Sequence, residues 1–152
     1  MSKIAIVYWS GTGNTEAMAD FVKAGAVRAG SEPDVFTPET FGSGLADQYE
    51  AIAFGCPAMG DEELEETEFL PMFERWRKSS GKKIALFGSY DWGTGEWMDN
   101  WKSQCEKVGA VFVCDCVIAN NEPDDEAEAA LKAMGEALAG YKGGVYECCN
   151  YR

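Results

Sequence analysis

The chain contains no histidine among its 152 residues. That absence excludes the Ser-His-Asp and Cys-His catalytic arrangements and every zinc site that needs an imidazole ligand. Positive charge is also scarce, because 13 basic residues face 26 acidic ones and the formal net charge is −13. An acidic excess of this size argues against nucleic acids and anionic membranes as partners and favours basic proteins. We therefore expect neither nucleic-acid nor membrane binding, and no metal site.

Targeting and redox motifs are missing too. Residues 1–3 lead directly into a short apolar stretch, without the longer apolar segment of a signal peptide, and no run reaches membrane-spanning length. None of the six cysteines forms a CxxC pair, so we expect free thiols and a cytoplasmic location. Cys114 and Cys116 are expected to share one face of a strand.

What the chain does contain is an alternation of apolar strands and amphipathic helices. Consecutive apolar residues without polar alternation indicate strands that are covered on both faces. Strands joined through helices form a parallel sheet by right-handed crossovers, with helices on both sides. The predicted strands comprise residues 4–8, 34–36, 51–55, 83–88 and 110–119.

The first and last parts of the chain carry further expectations. The apolar residues Ala17, Phe21, Ala24 and Val27 recur at helical spacing and predict a first helix over residues 13–29. The last helix begins at Asp124 and Asp125. Length and pattern predict a single domain over residues 1–140, followed by a tail, residues 141–152, to which no role is assigned.

A loop of small residues follows the first strand directly and opens the first helix. Glycines let a backbone approach a phosphate closely, and the N–H groups at a helix N-terminus favour an anion. The loop contains no lysine or arginine and lacks the glycine spacing of a dinucleotide-binding loop, so it differs from a P-loop and from a Rossmann fingerprint. The sequence therefore predicts a site for one phosphate monoester. Its residues are Ser10, Gly11, Thr12, Gly13, Asn14 and Thr15.

Two more loops are expected at the same edge of the sheet, because parallel strands end on one side. Residues 56–62 begin apolar and end acidic, and residues 89–95 hold two aromatic side chains between flexible residues. Met59, Tyr90 and Trp92 have no evident packing reason to occur together at a sheet end. A flat aromatic ligand would supply one, through stacking and sulfur contacts.

The three loops together resemble those of flavodoxins. Residues 8–16 are similar to the phosphate loop of this family, and residues 55–62 and 88–93 to the two flavin loops of its short-chain, clostridial-type members. The resemblance covers about residues 3–139. It implies an α/β fold in which a doubly wound, five-stranded parallel sheet of order 2-1-3-4-5 carries helices on both faces. An uninterrupted fifth strand also fits the short-chain class.

The resemblance implies a low-potential one-electron carrier that uses non-covalently bound FMN, in its semiquinone/hydroquinone couple, between redox partner proteins. Such a protein has no substrate turnover of its own, so no catalytic residue is expected. Its partners are expected to be basic proteins that bind transiently, and the chain is expected to be a monomer. Two acidic runs, residues 61–68 and 122–128, would in part surround the flavin edge and attract those partners.

Individual roles also come from the resemblance. Met59 and Trp92 are expected to flank the two faces of the flavin ring, Glu62 to reach its N3–H, and the Gly60 peptide to reorient on reduction. Asp91 stands where similar members carry glycine. Beyond the phosphate loop, the implied cofactor-binding residues are Pro57, Ala58, Met59, Gly60, Asp61, Glu62, Ser89, Tyr90, Asp91, Trp92 and Gly93.

Proteins of other classes share the predicted topology. A flavin-dependent quinone or NAD(P)H reductase is the alternative, although it would need a substrate shelf for which this chain shows no insertion. A phosphoacceptor receiver domain requires an acid cluster after the first strand, where Tyr8, Trp9 and Ser10 stand instead. A low-molecular-weight phosphatase requires a cysteine and an arginine in the same loop, and both are missing.

Overall fold

Strands and helices alternate along the chain as the sequence predicts. A computed structural model provides the coordinates. The strands are β1 (Ile4–Tyr8), β2 (Asp34–Phe36), β3 (Ala51–Gly55), β4 (Lys83–Tyr90), β5 (Val111–Phe112) and β6 (Val117–Asn120). The helices are α1 (Asn14–Arg28), α2 (Phe69–Trp76), α3 (Glu96–Lys107) and α4 (Asp125–Leu138). The structure describes residues 3–11, 13–41, 48–58, 68–76, 83–91, 95–107 and 109–140.

The strands form one parallel sheet of order β2-β1-β3-β4-β5, in which β6 also pairs with β4. This confirms the predicted parallel sheet and strand order. The prediction of one unbroken fifth strand over residues 110–119 was wrong. Between the pairs Ile84↔Phe112 and Phe87↔Val117, β4 advances by three residues (87 − 84) while the partner chain advances by five (117 − 112). The segment that pairs with β4 therefore contains two extra residues that have no partner in β4. The predicted fifth strand is divided at this point into β5 and β6.

The division of that strand also changes the surroundings of two cysteines. Cys114 is buried in the core on the α1 and α4 side of the sheet, whereas Cys116 packs against the core on the opposite side. The prediction that both thiols share one face was wrong, because residues 113–116 do not follow the two-residue alternation of a strand.

Both faces of the sheet are covered, as the continuous apolar strands predict. In β4, Ile84 and Leu86 belong to one core and Ala85 and Phe87 to the other, which is the alternation expected of a doubly covered strand. One core contains aromatic side chains from α2 and α3. Among the described side chains of these two helices, the buried aromatic ones are Phe69, Phe73, Trp97 and Trp101.

The second core lies between the sheet and the helix pair α1 and α4. The apolar spacing that predicts α1 does not mark its buried face throughout, since Ala24 is exposed and Val27 is 50% exposed, although Phe21 packs against this core. The side chains of α1 that are buried instead are Thr15, Met18, Ala19, Val22 and Ala26.

The close approach of α1 to α4 explains which face of α1 is buried. A Cβ on Gly25 would lie 1.9 Å from the backbone oxygen of Lys132, and one on Gly135 would lie 2.0 Å from that of Val22. The helices therefore meet through glycines, and the residues around the glycines become the buried ones. Apolar spacing alone does not reveal a contact of this kind, because glycine carries no side chain to count.

The start of α4 follows the prediction. The Asp124 side chain caps this helix by accepting a hydrogen bond of 2.8 Å from the Ala127 N–H. Among the described residues, none of the helices is long and apolar enough to cross a membrane. The predicted tail, residues 141–152, lies outside the described part of the chain, and the domain boundary at residue 140 stays a prediction.

Candidate functional site

The carboxyl ends of β1, β3 and β4 meet at one edge of the sheet. The Trp9 N–H, just after β1, donates to the Gly55 carbonyl at the end of β3 over 3.0 Å. The Ala58 N–H, after β3, donates to the Ser89 carbonyl near the end of β4 over 2.9 Å. These bonds confirm, for the described residues, that the three predicted loops begin side by side.

Ser10 orders the loop that follows β1. Its Oγ accepts hydrogen bonds from the Gly13 N–H at 3.1 Å and from the Glu16 N–H at 3.3 Å. A hydroxyl that accepts two bonds still has its own proton to donate. Ser10 therefore holds the loop in shape and retains one donor for a ligand.

The backbone favours glycine at two positions of this loop. Gly13 begins α1 with φ 95°, a left-handed conformation that side chains with a Cβ resist. A Cβ on Gly11 would lie 3.0 Å from Cη2 of the Trp9 indole, so this backbone passes directly against the ring. The left-handed conformation of Gly13 matches one glycine role predicted for this loop, whereas close approach of the backbone to a phosphate stays a prediction. Thr12, between them, lies outside the described residues.

The first turn of α1 presents backbone donors. Of the four leading N–H groups, those of Gly13 and Glu16 bond to Ser10, and the next N–H, of Ala17, bonds to the Gly13 carbonyl over 3.0 Å. In the described part of the chain, no group accepts a hydrogen bond from the N–H of Asn14 or Thr15. Two adjacent donors at the positive end of a helix fit an anion such as phosphate.

A buried pair of hydroxyls connects this loop to β4. Thr15 Oγ1 and Ser89 Oγ lie 2.8 Å apart, and the two residues are 1% and 4% exposed. Sequence reasoning assigned these hydroxyls to separate loops and did not foresee that they bond to each other. One of the two protons is used within the pair, and the other is left for a further acceptor. The role of Thr15 as a phosphate donor stays a prediction.

The residues predicted for the ring site are partly ordered by the sheet itself. β4 continues through Tyr90, so Ser89 and Tyr90 belong to the strand; the prediction that a loop begins at Ser89 was wrong. The ring of Tyr90 packs against Trp97 with 5.6 Å between centroids, which gives this aromatic residue a packing reason to be here. Pro57 and Ala58 follow β3 and are half-buried.

A fourth segment, at residues 120 and 121, also reaches this edge of the sheet. The sequence predicted no role for it at the site. The Asn121 N–H donates to the Tyr90 carbonyl over 2.8 Å, and Asn120 Nδ2 lies 3.4 Å from the Asp91 carbonyl. Asn121 has φ 58°, a left-handed conformation that asparagine tolerates better than most residues. The paired asparagines after the last strand were the signal that could have revealed this corner.

Two features of the surroundings of the loop after β1 were not predicted from the sequence. The Trp9 indole N–H donates to Glu68 Oε2 over 2.9 Å, although the residues are 59 positions apart. At the end of β1, burial raises the pKa of the Tyr8 phenol, and the charges of Glu16 and Asp20 raise it further. The surroundings of the loop are thus acidic, and its donors for an anion are backbone N–H groups and hydroxyls.

The remaining predicted site residues lie outside the described part of the chain, so their positions stay predictions. They are Thr12, Met59, Gly60, Asp61, Glu62, Trp92 and Gly93. Within the described residues, no group of histidine, cysteine, aspartate or glutamate side chains has the arrangement of a metal site.

Known proteins of one family are similar to this chain. The family model described as "Flavodoxin" matches residues 6–133. A flavodoxin of Megasphaera elsdenii is 46% identical over 137 residues, which cover 90% of this chain and 98% of the relative. A flavodoxin of Clostridium beijerinckii is 43% identical over 135 residues, covering 88% of this chain and 97% of the relative.

A solved structure agrees with these sequence relationships. The solution structure of two-electron reduced Megasphaera elsdenii flavodoxin matches with a TM-score of 0.83 at 45% identity. The match covers 90% of this chain and 98% of that one. The similarity in sequence and the similarity in fold therefore extend over nearly the same part of the molecule.

Proposed function

The chain belongs to the flavodoxin family of FMN-binding electron-transfer proteins, and we propose that it holds the FMN phosphate in the loop of residues 10–16. The observation that carries this proposal concerns the backbone N–H groups of Asn14 and Thr15. No described residue accepts a hydrogen bond from either of them. They lie at the N-terminus of α1, where the helix dipole favours negative charge. The loop contains no lysine or arginine, so the backbone must supply this stabilisation.

The donors available at this loop suit a single phosphate group. Two backbone N–H groups and the hydroxyl proton of Ser10 belong to this loop, and the hydroxyl pair of Thr15 and Ser89 has one further proton to donate. A Cβ on Gly13 would meet no heavy atom within 4 Å, so the backbone at this position is open to an approaching ligand. The phosphate is therefore expected to be bound by a preorganised set of neutral donors.

When bound, FMN supplies one-electron oxidation and reduction at its isoalloxazine ring. The chain's own part is to position the ring edge and to set the charge around it. The bond from the Ala58 N–H to the Ser89 carbonyl fixes the start of one ring loop against β4, and the bond from Asn121 fixes Tyr90. A net charge of −13 opposes the arrival of further negative charge, so we expect a low potential for the last reduction.

Cofactor content tests the proposal directly. We expect the purified protein to carry one FMN per chain, released by acid and identified by mass and absorbance. A protein that carries FAD, or an apoprotein that fails to take up added FMN, would contradict the proposal. The reductase alternative is not favoured, because the relatives are flavodoxins. A steady-state assay with NAD(P)H and a quinone should show no turnover.

The chain exchanges electrons with redox partner proteins, and we propose that these are basic and bind transiently to a monomer. The first turn of α4 carries Asp125, Glu126 and Glu128, and it begins at the carboxyl end of β6, the edge at which the site lies. Acidic side chains around a redox site attract basic proteins and accelerate their association.

Rates of electron transfer to a basic cytochrome, measured against ionic strength, test this proposal. The double variant Asp125→Asn, Glu126→Gln should react more slowly at low salt, and the difference should vanish near 1 M salt, where the Debye length is about 3 Å. The matched control Glu32→Gln, Glu50→Gln removes two charges at the opposite edge of the sheet and should react like the natural protein. Equal slowing of both variants would show that only the net charge matters.

We also propose a cytoplasmic location. Cys105 and Cys116 are thiols outside any disulfide, which is usual for proteins of reducing compartments. Fractionation of the source cells with compartment markers checks this, and recovery in an exported fraction would contradict it.

A further inference from the structure

We propose that Trp9 and Glu68 form a positioning pair that keeps the phosphate loop in its ligand-binding shape. The inference rests on the proposed function, since it concerns how well the loop of residues 10–16 receives a phosphate. It assigns a task to two residues that lie beside the loop.

The pair joins the loop to a distant part of the chain. Trp9 Nε1 donates to Glu68 Oε2 over 2.9 Å, and Glu68 is the residue immediately before α2. Because the acceptor carries a negative charge, this hydrogen bond is stronger than one between neutral groups. Two further contacts hold Trp9 in place. Its backbone N–H donates to the Gly55 carbonyl, and its ring packs against the aromatic core.

The indole lies beside the backbone of the first half of the loop, at Gly11. The hydrogen bonds from Gly13 and Glu16 to Ser10 order the second half of the loop from within. Gly11 belongs to the first half, and a Cβ there would lie 3.0 and 3.2 Å from two atoms of the Trp9 ring. Fixing the indole through Glu68 therefore restricts Gly11, a residue that would otherwise lose much conformational freedom on binding.

Preorganisation of this kind improves binding of the phosphate group and leaves ring binding unaffected. A loop that is already ordered pays a smaller entropic cost when the ligand arrives. The benefit should therefore be seen with FMN and be absent with riboflavin, which has the same ring system and no phosphate. A merely structural role of Trp9 would weaken both ligands equally.

The test measures dissociation constants of the full-length apoprotein for FMN and for riboflavin by quenching of flavin fluorescence. Trp9→Phe removes the N–H and keeps an aromatic ring, and it should weaken FMN about fivefold, or about 1 kcal/mol at 1.4 kcal/mol per tenfold. Riboflavin should stay within twofold. Glu68→Ala, a change at an exposed residue, should reproduce both results without threatening the fold.

Two further variants separate geometry from charge. Glu68→Gln keeps an oxygen that can accept a weaker, uncharged bond from the indole, so its loss of FMN affinity should be smaller than that of Glu68→Ala. Glu50→Ala removes one charge at the opposite edge of the sheet and should have no effect on either ligand. Because Trp9 and Glu68 act as one unit, the double variant Trp9→Phe, Glu68→Ala should be no weaker than either single variant.

Three outcomes would contradict the proposal that Trp9 and Glu68 position the loop. They are an unchanged FMN affinity in Trp9→Phe, an equal loss for FMN and riboflavin, or a double variant whose losses multiply to about twenty-five-fold. A natural protein that binds neither flavin would instead refute the proposed function, and the two failures are thereby distinguishable.

Discussion

The two ends of the site are built in different ways. At the phosphate end, residues 10–16 are contiguous, and Ser10 orders them through bonds to Gly13 and Glu16. At the ring end, by contrast, the described backbone is fixed by bonds between separate strands, from Ala58 to Ser89 and from Asn121 to Tyr90. A local motif forms the first end, and the assembled sheet forms the second. The two ends should therefore respond differently to mutation.

The largest effect is expected at the phosphate end. Ser10→Ala removes a hydroxyl donor from the ligand and an acceptor from two N–H groups, so FMN should bind about 30-fold more weakly, or about 2 kcal/mol. Riboflavin should bind within twofold of the natural protein, because it has no phosphate for the loop to bind. Titration of the apoprotein with each flavin gives both numbers.

A matched control uses another serine. Ser103→Ala, at an exposed position of α3, should leave both affinities unchanged. If Ser10→Ala weakened FMN and riboflavin alike, the division of the site into two ends would be wrong.

An intermediate effect is expected where the two ends are joined. Ser89→Ala leaves the buried Thr15 hydroxyl without its partner and should lower the free energy of unfolding by about 1–2 kcal/mol. The double variant Thr15→Val, Ser89→Ala removes both hydroxyls and should cost less than the sum of the two single changes. Urea unfolding of the natural apoprotein, the two single variants and the double variant completes the double-mutant cycle. Strictly additive losses in the free energy of unfolding would show that the two hydroxyls are not coupled.

The smallest effect on the site is expected from a change at the opposite edge of the sheet. Tyr49 lies before β3, where its hydroxyl donates to Asp34 over 2.7 Å. Burial raises the pKa of Tyr49 to about 12, and the hydrogen bond to Asp34 and the charge of that carboxylate contribute. Tyr49→Phe should therefore leave the affinities for FMN and riboflavin unchanged.

The same residue predicts a pH dependence of stability. A raised pKa favours the neutral phenol in the folded state, so its contribution is complete below pH 10 and is lost as the pH rises towards 12. Tyr49→Phe should show a shallower loss in this range when unfolding is measured by denaturant. The slope that remains is expected from Tyr8, whose pKa is also raised by burial, and from Cys105 and Cys116, because burial raises the pKa of each thiol to about 12. An identical slope in both proteins would contradict this assignment.

The comparison of the two ends also explains what the sequence could predict. The shape of the loop after β1 could be predicted because its glycines, its hydroxyls and the helix after it are neighbours in the chain, whereas its role as a phosphate site stays a prediction. The strand order was predicted as well, since connections through helices restrict the topology. In the described part of the chain, the bonds at Gly55, Ser89 and Tyr90 show that the predicted edge is the one where the loops meet.

What failed depends on contacts between distant residues. The buried face of α1 is set by Gly25 and Gly135, whose closeness to the facing helix has no apolar signature. The break in the last strand follows from a register with β4 that only the assembled sheet defines. The bond between Trp9 and Glu68 spans 59 positions and belongs to the same class.

The most direct test of the central claim observes the two backbone donors themselves. In proton–nitrogen correlation spectra of the apoprotein, the amide protons of Asn14 and Thr15 should move strongly downfield when FMN is added, because each N–H gains a charged acceptor. Riboflavin should leave both signals nearly in place. Equal shifts with the two flavins, or no shift of Asn14 and Thr15 with FMN, would contradict the assignment of this loop as the phosphate site.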